Sequence, residues 1–242
     1  MSGKTAIRIA AALCLALALV PNAIAKGVQP GVTTATPRTA ADYLDKAAML
    51  VSEGQSERAI SDYLDIILLN FKQELKDEKS PVYSARTPAE ALFYTSQAAK
   101  HHQKALVLNN LWSETLYLKG YALIDLGRLD DAEATLEMAV MVAPKNARVL
   151  AELGLVHQLK KDYSKTLDLM KRAADAAKTY SPPEVRNSEL AHAWRGTAYV
   201  FVEQGRLSEA EKLYKKCLKL DPNDSRAKSE LEYLNRLRAS KR

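Results

Sequence analysis

From Thr39 to the C-terminus, apolar residues recur at i, i+3, i+4 and i+7, with short polar breaks between the runs. That spacing is the period of amphipathic helices, so the pattern predicts helix after helix with a stripe on each facing a common core. The stripes also repeat as a set. Leu116, Gly120, Leu123, Gly127, Ala132, Leu136, Ala139 and Pro144 return 34 residues later as Leu150, Gly154, His157, Lys161, Thr166, Met170, Ala173 and Lys178. After a ten-residue insertion they return as Trp194, Ala198, Phe201, Gly205, Ala210, Tyr214, Cys217 and Pro222. An upstream copy at an offset of 73 holds Tyr43, Ala47, Leu50, Gly54, Ala59, Tyr63 and Ile66.

Each position has a physical reading. Small residues at 47, 120, 154 and 198 let the two helices of a unit cross closely, and Ala59, Ala132 and Ala210 serve the crossing to the next unit. Gly54, Gly127 and Gly205 fall just past a first helix, where a left-handed residue ends it at little steric cost. Pro144 and Pro222 stop the second helix. Lys161, Thr166 and Lys178 depart from the frame, which predicts a looser turn at 161 and a second helix that runs on. Ser181-Pro182-Pro183-Glu184 then predicts an early start for the helix carrying Trp194.

Period and pattern resemble the tetratricopeptide repeat. The resemblance covers roughly 39–238 and implies an all-α, right-handed superhelical solenoid of antiparallel helix pairs. The units are expected at about 40–73, 113–146, 147–180 and 191–224, with a degenerate one at 74–112. There the helix from Glu57 is expected to run to about Lys79, and Thr87-Pro88-Ala89-Glu90 to open a second long helix reaching about Leu108. Residues 225–238 are expected to form a capping helix, with Ala227, Leu231, Leu234 and Leu237 inward and Lys228, Glu232, Asn235 and Arg236 outward, because an open solenoid must cover its last apolar face.

The first 38 residues are of another kind. Lys4 and Arg8 precede an uncharged apolar run from Ile9 to Val20, Pro21 breaks it, and Ala23-Ile24-Ala25 is a small-x-small site. Residues 1–25 are therefore expected to be a signal peptide cleaved after Ala25, giving a periplasmic or secreted protein. A spanning helix needs ~20 apolar residues, more than this run supplies, so no stable membrane insertion is expected after cleavage. Cys14 lies inside the apolar run, which makes a lipoprotein site the weaker reading. Residues 26–38, with Gly, Pro and Thr and no periodicity, are expected to be a flexible linker.

Composition narrows the function classes. Of 242 residues 47% are hydrophobic and 26% charged, and the signal accounts for two of the six net positive charges. The remaining acids and bases are interleaved, which argues against a nucleic-acid partner. Only Cys217 lies beyond the signal, and a buried structural thiol is its simplest role. There is no phosphate loop, Cys pair, His-Glu-x-x-His or nucleophile elbow. His101 and His102 are adjacent and point about 100° apart on a helix, so they cannot chelate one metal. No enzyme activity, cofactor or metal is expected. His157, standing where the other units have Leu123 and Phe201, is expected in the core.

The resemblance implies that function sits on the concave groove lined by the first helix of each unit. Carried over position by position, the groove takes Tyr117, Tyr121 and Ile124, then Arg148, Ala151, Leu155 and Gln158, then His192, Arg195, Tyr199 and Val202. Tyrosine offers wide contact area at low entropic cost, which suits a protein or peptide partner. A glycan of the cell envelope is the alternative ligand, since Tyr, Trp and Arg also suit sugars. The places that would clamp a C-terminal carboxylate in co-chaperones hold Tyr117, Tyr121, Glu152, His192 and Gly196, so that use is not expected.

Overall fold

A computed structural model describes residues 39–239; the signal and linker expectations fall outside the described residues. The described residues form one compact unit. It begins with α1 (Ala40–Ser52), capped by Thr39, whose side chain accepts from the Asp42 amide while Asp42 reaches back to the Thr39 amide. α2 (Ser56–Ala59), a π-helical segment (Ile60–Leu64) and α3 (Asp65–Glu74) follow end to end. The regular pairs are α5 (Leu111–Asp125) with α6 (Leu129–Val142), α7 (Ala147–Leu159) with α8 (Tyr163–Tyr180), and α9 (Pro183–Glu203) with α10 (Leu207–Leu220). α11 (Ser225–Ala239) closes the array. Each helix packs on its sequence neighbour and first helices pack on first helices, which makes the solenoid.

The small residues sit where the frame requires them. Ala47, Ala59, Ala132, Ala173, Ala198 and Ala210 have no exposed surface. A Cβ on Gly120 would lie 2.5 Å from Leu136 Cγ, so α5 and α6 touch through that glycine. Gly54, Gly127 and Gly205 end first helices with φ of 72° to 73°, and Lys161 adopts the same conformation at φ 61°. The expected looseness there is absent: the lysine is forced into the left-handed region by the same turn, at an energetic cost. α8 does run on, with 18 residues against 14 in α6 and α10, and α9 starts at Pro183. His157 and Cys217 are buried. On α11, Ala227 and Leu234 are fully buried, Leu231 and Leu237 pack on the same core, and Lys228, Glu232 and Asn235 face out.

Residues 75–110 depart from expectation. α3 stops at Glu74, not Lys79, and the helix opened by Pro88 is α4 (Pro88–Lys100), which ends eight residues before Leu108. Two strands, β1 (Val82–Ser84) and β2 (Leu106–Leu108), pair in parallel on either side of α4. A parallel pair needs a crossover, and α4 supplies it. His102, at φ 56°, turns the chain back toward β2. This strand-helix-strand insert replaces the expected degenerate helix pair.

The insert is fastened to the repeats largely by polar and aromatic contacts. Lys145 N donates to Tyr94 Oη at 3.1 Å, and Thr87 Oγ1 donates to the Tyr180 carbonyl at 3.0 Å. Phe93 meets Tyr180 edge to face, with the Lys145 ammonium 4.6 Å above the Phe93 ring. The insert thus sits at the turns leading into α7 and α9.

Candidate functional site

The first helices carry four rows of residues in register. Glu114, Arg148, His192 and Arg226 form the row nearest the helix N-termini. Tyr117, Ala151, Arg195 and Ser229 follow, then Tyr121, Leu155, Tyr199 and Tyr233, then Ile124, Gln158, Val202 and Arg236. In every row the α11 residue is exposed while the α5 residue is buried or half-buried. Tyr117, Tyr121 and Ile124 are each 8% exposed, Leu155, Gln158, Tyr199 and Val202 are half-buried, and Tyr233 is 38% exposed. Tyr117 and Tyr121 therefore pack inside the molecule and offer a partner almost no surface. Tyr117 lies under Arg148, whose guanidinium sits 4.2 Å from the ring centroid, and burial holds the phenol well above its ordinary pKa.

The N-terminal half of the groove is filled by ion pairs. Arg148 pairs with Glu114, and Arg195 pairs with Asp224 at 2.5 Å. Arg86, from the segment between β1 and α4, reaches across to α9 and grips Glu189 at 2.6 and 3.2 Å. Glu152 lies between Arg148 and Arg226 and is only 1% exposed; burial pushes its carboxyl up to about 7, against the pull of the two arginines. Burial, with Arg195 and Arg226 nearby, pushes His192 down to about 4, so this imidazole is neutral at neutral pH. These groups form a neutralised lining with no nucleophile beside a base, and no cluster of possible metal ligands occurs among the described residues.

The C-terminal half is different. Tyr199 and Tyr233 stand on neighbouring first helices, with Glu203, Tyr163 and Glu230 close enough to Tyr199 to raise its pKa together with burial. Tyr163 donates to Glu203 at 3.2 Å, leaving the tyrosine faces themselves half open. Val202, Gln158 and Leu155 continue this surface toward α7. Of the residues expected in the groove, Leu155, Gln158, Tyr199 and Val202 are half-buried, with Val202 packed against the core shared by α9, α10 and α11. Arg148, His192 and Arg195 join the charged lining, and Tyr117 and Tyr121 lie beneath it.

The α11 residues Arg226, Ser229, Tyr233 and Arg236 were missing from the expectation because this helix reads as a polar cap. Its outer face is polar, but its offset of 34 from α9 also makes it a first helix, and so a groove wall. Glu189, Arg86 and Glu114 were missed for another reason. Arg86 lies outside the repeats, and nothing local marks it as a neighbour of α9.

Two matches to tetratricopeptide-repeat family models cover residues 117–182 and 191–224. No curated protein matches the chain. Among solved structures, MamA from Desulfovibrio magneticus RS-1, from residue 41 to its end, superposes with a TM-score of 0.51 at 17% identity, over 83% of this chain and 85% of that one. A MamA RS-1 double mutant gives 0.51 at 16% identity, over 82% and 84%. The first repeat domain of Spaghetti (RPAP3), bound to the HSP90 peptide SRMEEVD, gives 0.45 at 20% identity, over 53% and 94%. At these identities the likeness is one of fold. With the same repeat frame present in sequence, packing and family match, residues 117–182 and 191–224 are tetratricopeptide repeats, a module that serves protein interaction.

Proposed function

We propose that this chain is a non-enzymatic, exported scaffold of the periplasm or cell exterior that holds a protein or peptide partner in the groove at the α9 and α11 end. The observation that supports it is the difference in exposure: equivalent positions pass from a buried Tyr121 to a 38% exposed Tyr233 on α11. Large, stiff, amphipathic rings left open beside a neutralised polar lining suit contact with another chain. Export is supported by the sequence pattern before Lys26.

Crosslinking capture from the native envelope tests the binding reading. Tyr199→Ala combined with Tyr233→Ala is expected to lose the captured polypeptide with little change in melting temperature, while Lys171→Ala combined with Lys212→Ala, on exposed positions of second helices, keeps it. Loss with the second pair and retention with the first places binding on the outer face and overturns the proposal. Intact mass of the exported protein tests the compartment, with a mature chain expected to begin at Lys26.

A further inference from the structure

Arg86 occupies the groove wall as a ligand would. Its side chain is 7% exposed, and its fork donates to both oxygens of Glu189. Glu189 also accepts from Ser181 Oγ. A second carboxylate is present: Glu90 Oε1 lies 3.5 Å from Arg86 Nε, and Glu90 Oε2 accepts from the Arg86 backbone amide. Yet Arg86 Nε and Glu90 Oε1 are both buried and make no hydrogen bond. One guanidinium is seated on two carboxylates and satisfies one of them well.

The neighbourhood is unusual in the same sense. Among the described residues, the buried side-chain nitrogen and oxygen atoms without a hydrogen-bond partner belong to Arg86, Glu90, Asn146, Arg148, Glu152 and Arg186. All sit on the insert or on the first two turns of α7 and α9. Buried polar groups are ordinarily satisfied, and each exception is costly. Glu189 precedes His192 by three positions on α9, which puts it on the side of that helix that carries the groove row.

We propose that Glu189 and Glu90 form an arginine subsite on the groove wall, filled in the free protein by the chain's own Arg86, and that an arginine side chain of the partner enters by displacing it. The proposal rests on the groove reading above. Two carboxylate oxygens presented side by side match the planar fork of a guanidinium, whereas a lysine ammonium engages them as a point charge. Arg86 is displaceable because its fit leaves its own Nε and Glu90 Oε1 without a hydrogen bond. An incoming guanidinium approaching from the groove satisfies Glu189 and Glu90 together. Tethering gives Arg86 a high effective concentration, so a free arginine competes poorly until Arg86 is removed.

The test is a titration of the full mature chain with acetyl-arginine amide, followed by heteronuclear NMR. Arg86→Met keeps the aliphatic stem and removes the fork. It is expected to bind the probe at least tenfold more tightly than the parent, with shifts centred on Glu189, Ser181 and Glu90, and to prefer it over acetyl-lysine amide. Adding Glu189→Gln is expected to abolish the gain. Arg86→Lys, which keeps a tethered ammonium but not the fork, is the second variant should Arg86→Met not fold, with a smaller gain over the parent expected and the same loss on adding Glu189→Gln. A folded variant that binds the probe no better than the parent, or that keeps its binding with Glu189→Gln, overturns the subsite. Partner capture through Tyr199 and Tyr233 is a separate measurement, so success there with failure here removes the arginine subsite and leaves the groove reading standing.

Discussion

The repeats from α5 to α10 and the insert between α3 and α5 are joined by different kinds of contact. In the repeats, helices meet through small residues against large ones: Gly120 lies on Leu136, Gly154 and Gly196 lie against Met170, and Ala132 and Ala210 have no exposed surface. Such contacts are short and apolar, and they tolerate little change in volume. The insert meets the repeats through Arg86, Thr87, Tyr94 and Phe93, with several buried polar atoms unmet nearby. Polar contacts of this kind set direction more than they contribute net stability. The difference divides the molecule into an array joined by apolar crossings and an insert joined by polar and aromatic contacts, and the first helices run from beside the insert to α11.

The comparison breaks most directly at a helix crossing. Gly120→Leu is expected to cost about 3 kcal/mol, near the upper end for overpacking, which in a chain of this size lowers the melting temperature by roughly 6–12 °C. Leu92→Ala, on the outer face of the insert where the side chain is 71% exposed, is expected to change it by less than about 0.5 kcal/mol. Equal thermal shifts for the two would show that the array and the insert share one mode of packing.

The next effect lies in the charged lining. The Glu152 carboxyl is raised to about 7 in the folded chain against an ordinary 4.5. The folded state therefore holds the proton more tightly than the unfolded one. The cost of the buried carboxylate is fully present above pH 7 and is relieved as pH falls toward 4.5. Glu152→Gln is expected to stabilise by on the order of 2 kcal/mol at pH 8, with the gain shrinking to nothing near pH 4.5. Melting curves at the two pH values check this, and a shift independent of pH refutes it.

The smallest expected effect sharpens the account of the turns. Lys161 sits at φ 61° where its counterparts are Gly127 and Gly205. Lys161→Gly removes the steric cost of a left-handed side-chain residue and is expected to stabilise by up to about 1 kcal/mol, partly offset by the greater freedom of glycine when unfolded. Gly205→Lys is expected to do the reverse. Denaturant midpoints measured for both resolve the pair.

Much of the fold was legible because one unit explains the next. Eight positions in register told which residues cross, turn and stop, and the polar residues Lys228, Glu232 and Asn235 told which side of α11 faces out. The insert was not legible in this way. Val82-Tyr83 and Leu106-Val107-Leu108 are too short to show a period of two, and the helical spacing of 88–100 dominated the segment. The helix start at Thr87 was visible because a cap is a local device: Thr87 Oγ1 accepts from the Glu90 amide at 3.2 Å. The end of that helix, and the strand pairing beyond it, depended on contacts across 24 residues.

The candidate site divides along the same line. Sequence alone determined which face of each first helix looks into the groove, because the repeat period fixes the rotation of every helix relative to its partner. Only the tertiary structure decided which of those faces stay open. Tyr121 and Tyr199 occupy equivalent positions, yet one is 8% exposed and the other half-buried, because α5 is packed by α1, α3 and β1 as well as by its repeat neighbours. Arg86 enters the groove from 103 residues before Glu189. Burial and ion pairing depend on which distant segments meet, and neither a period nor a composition carries that information.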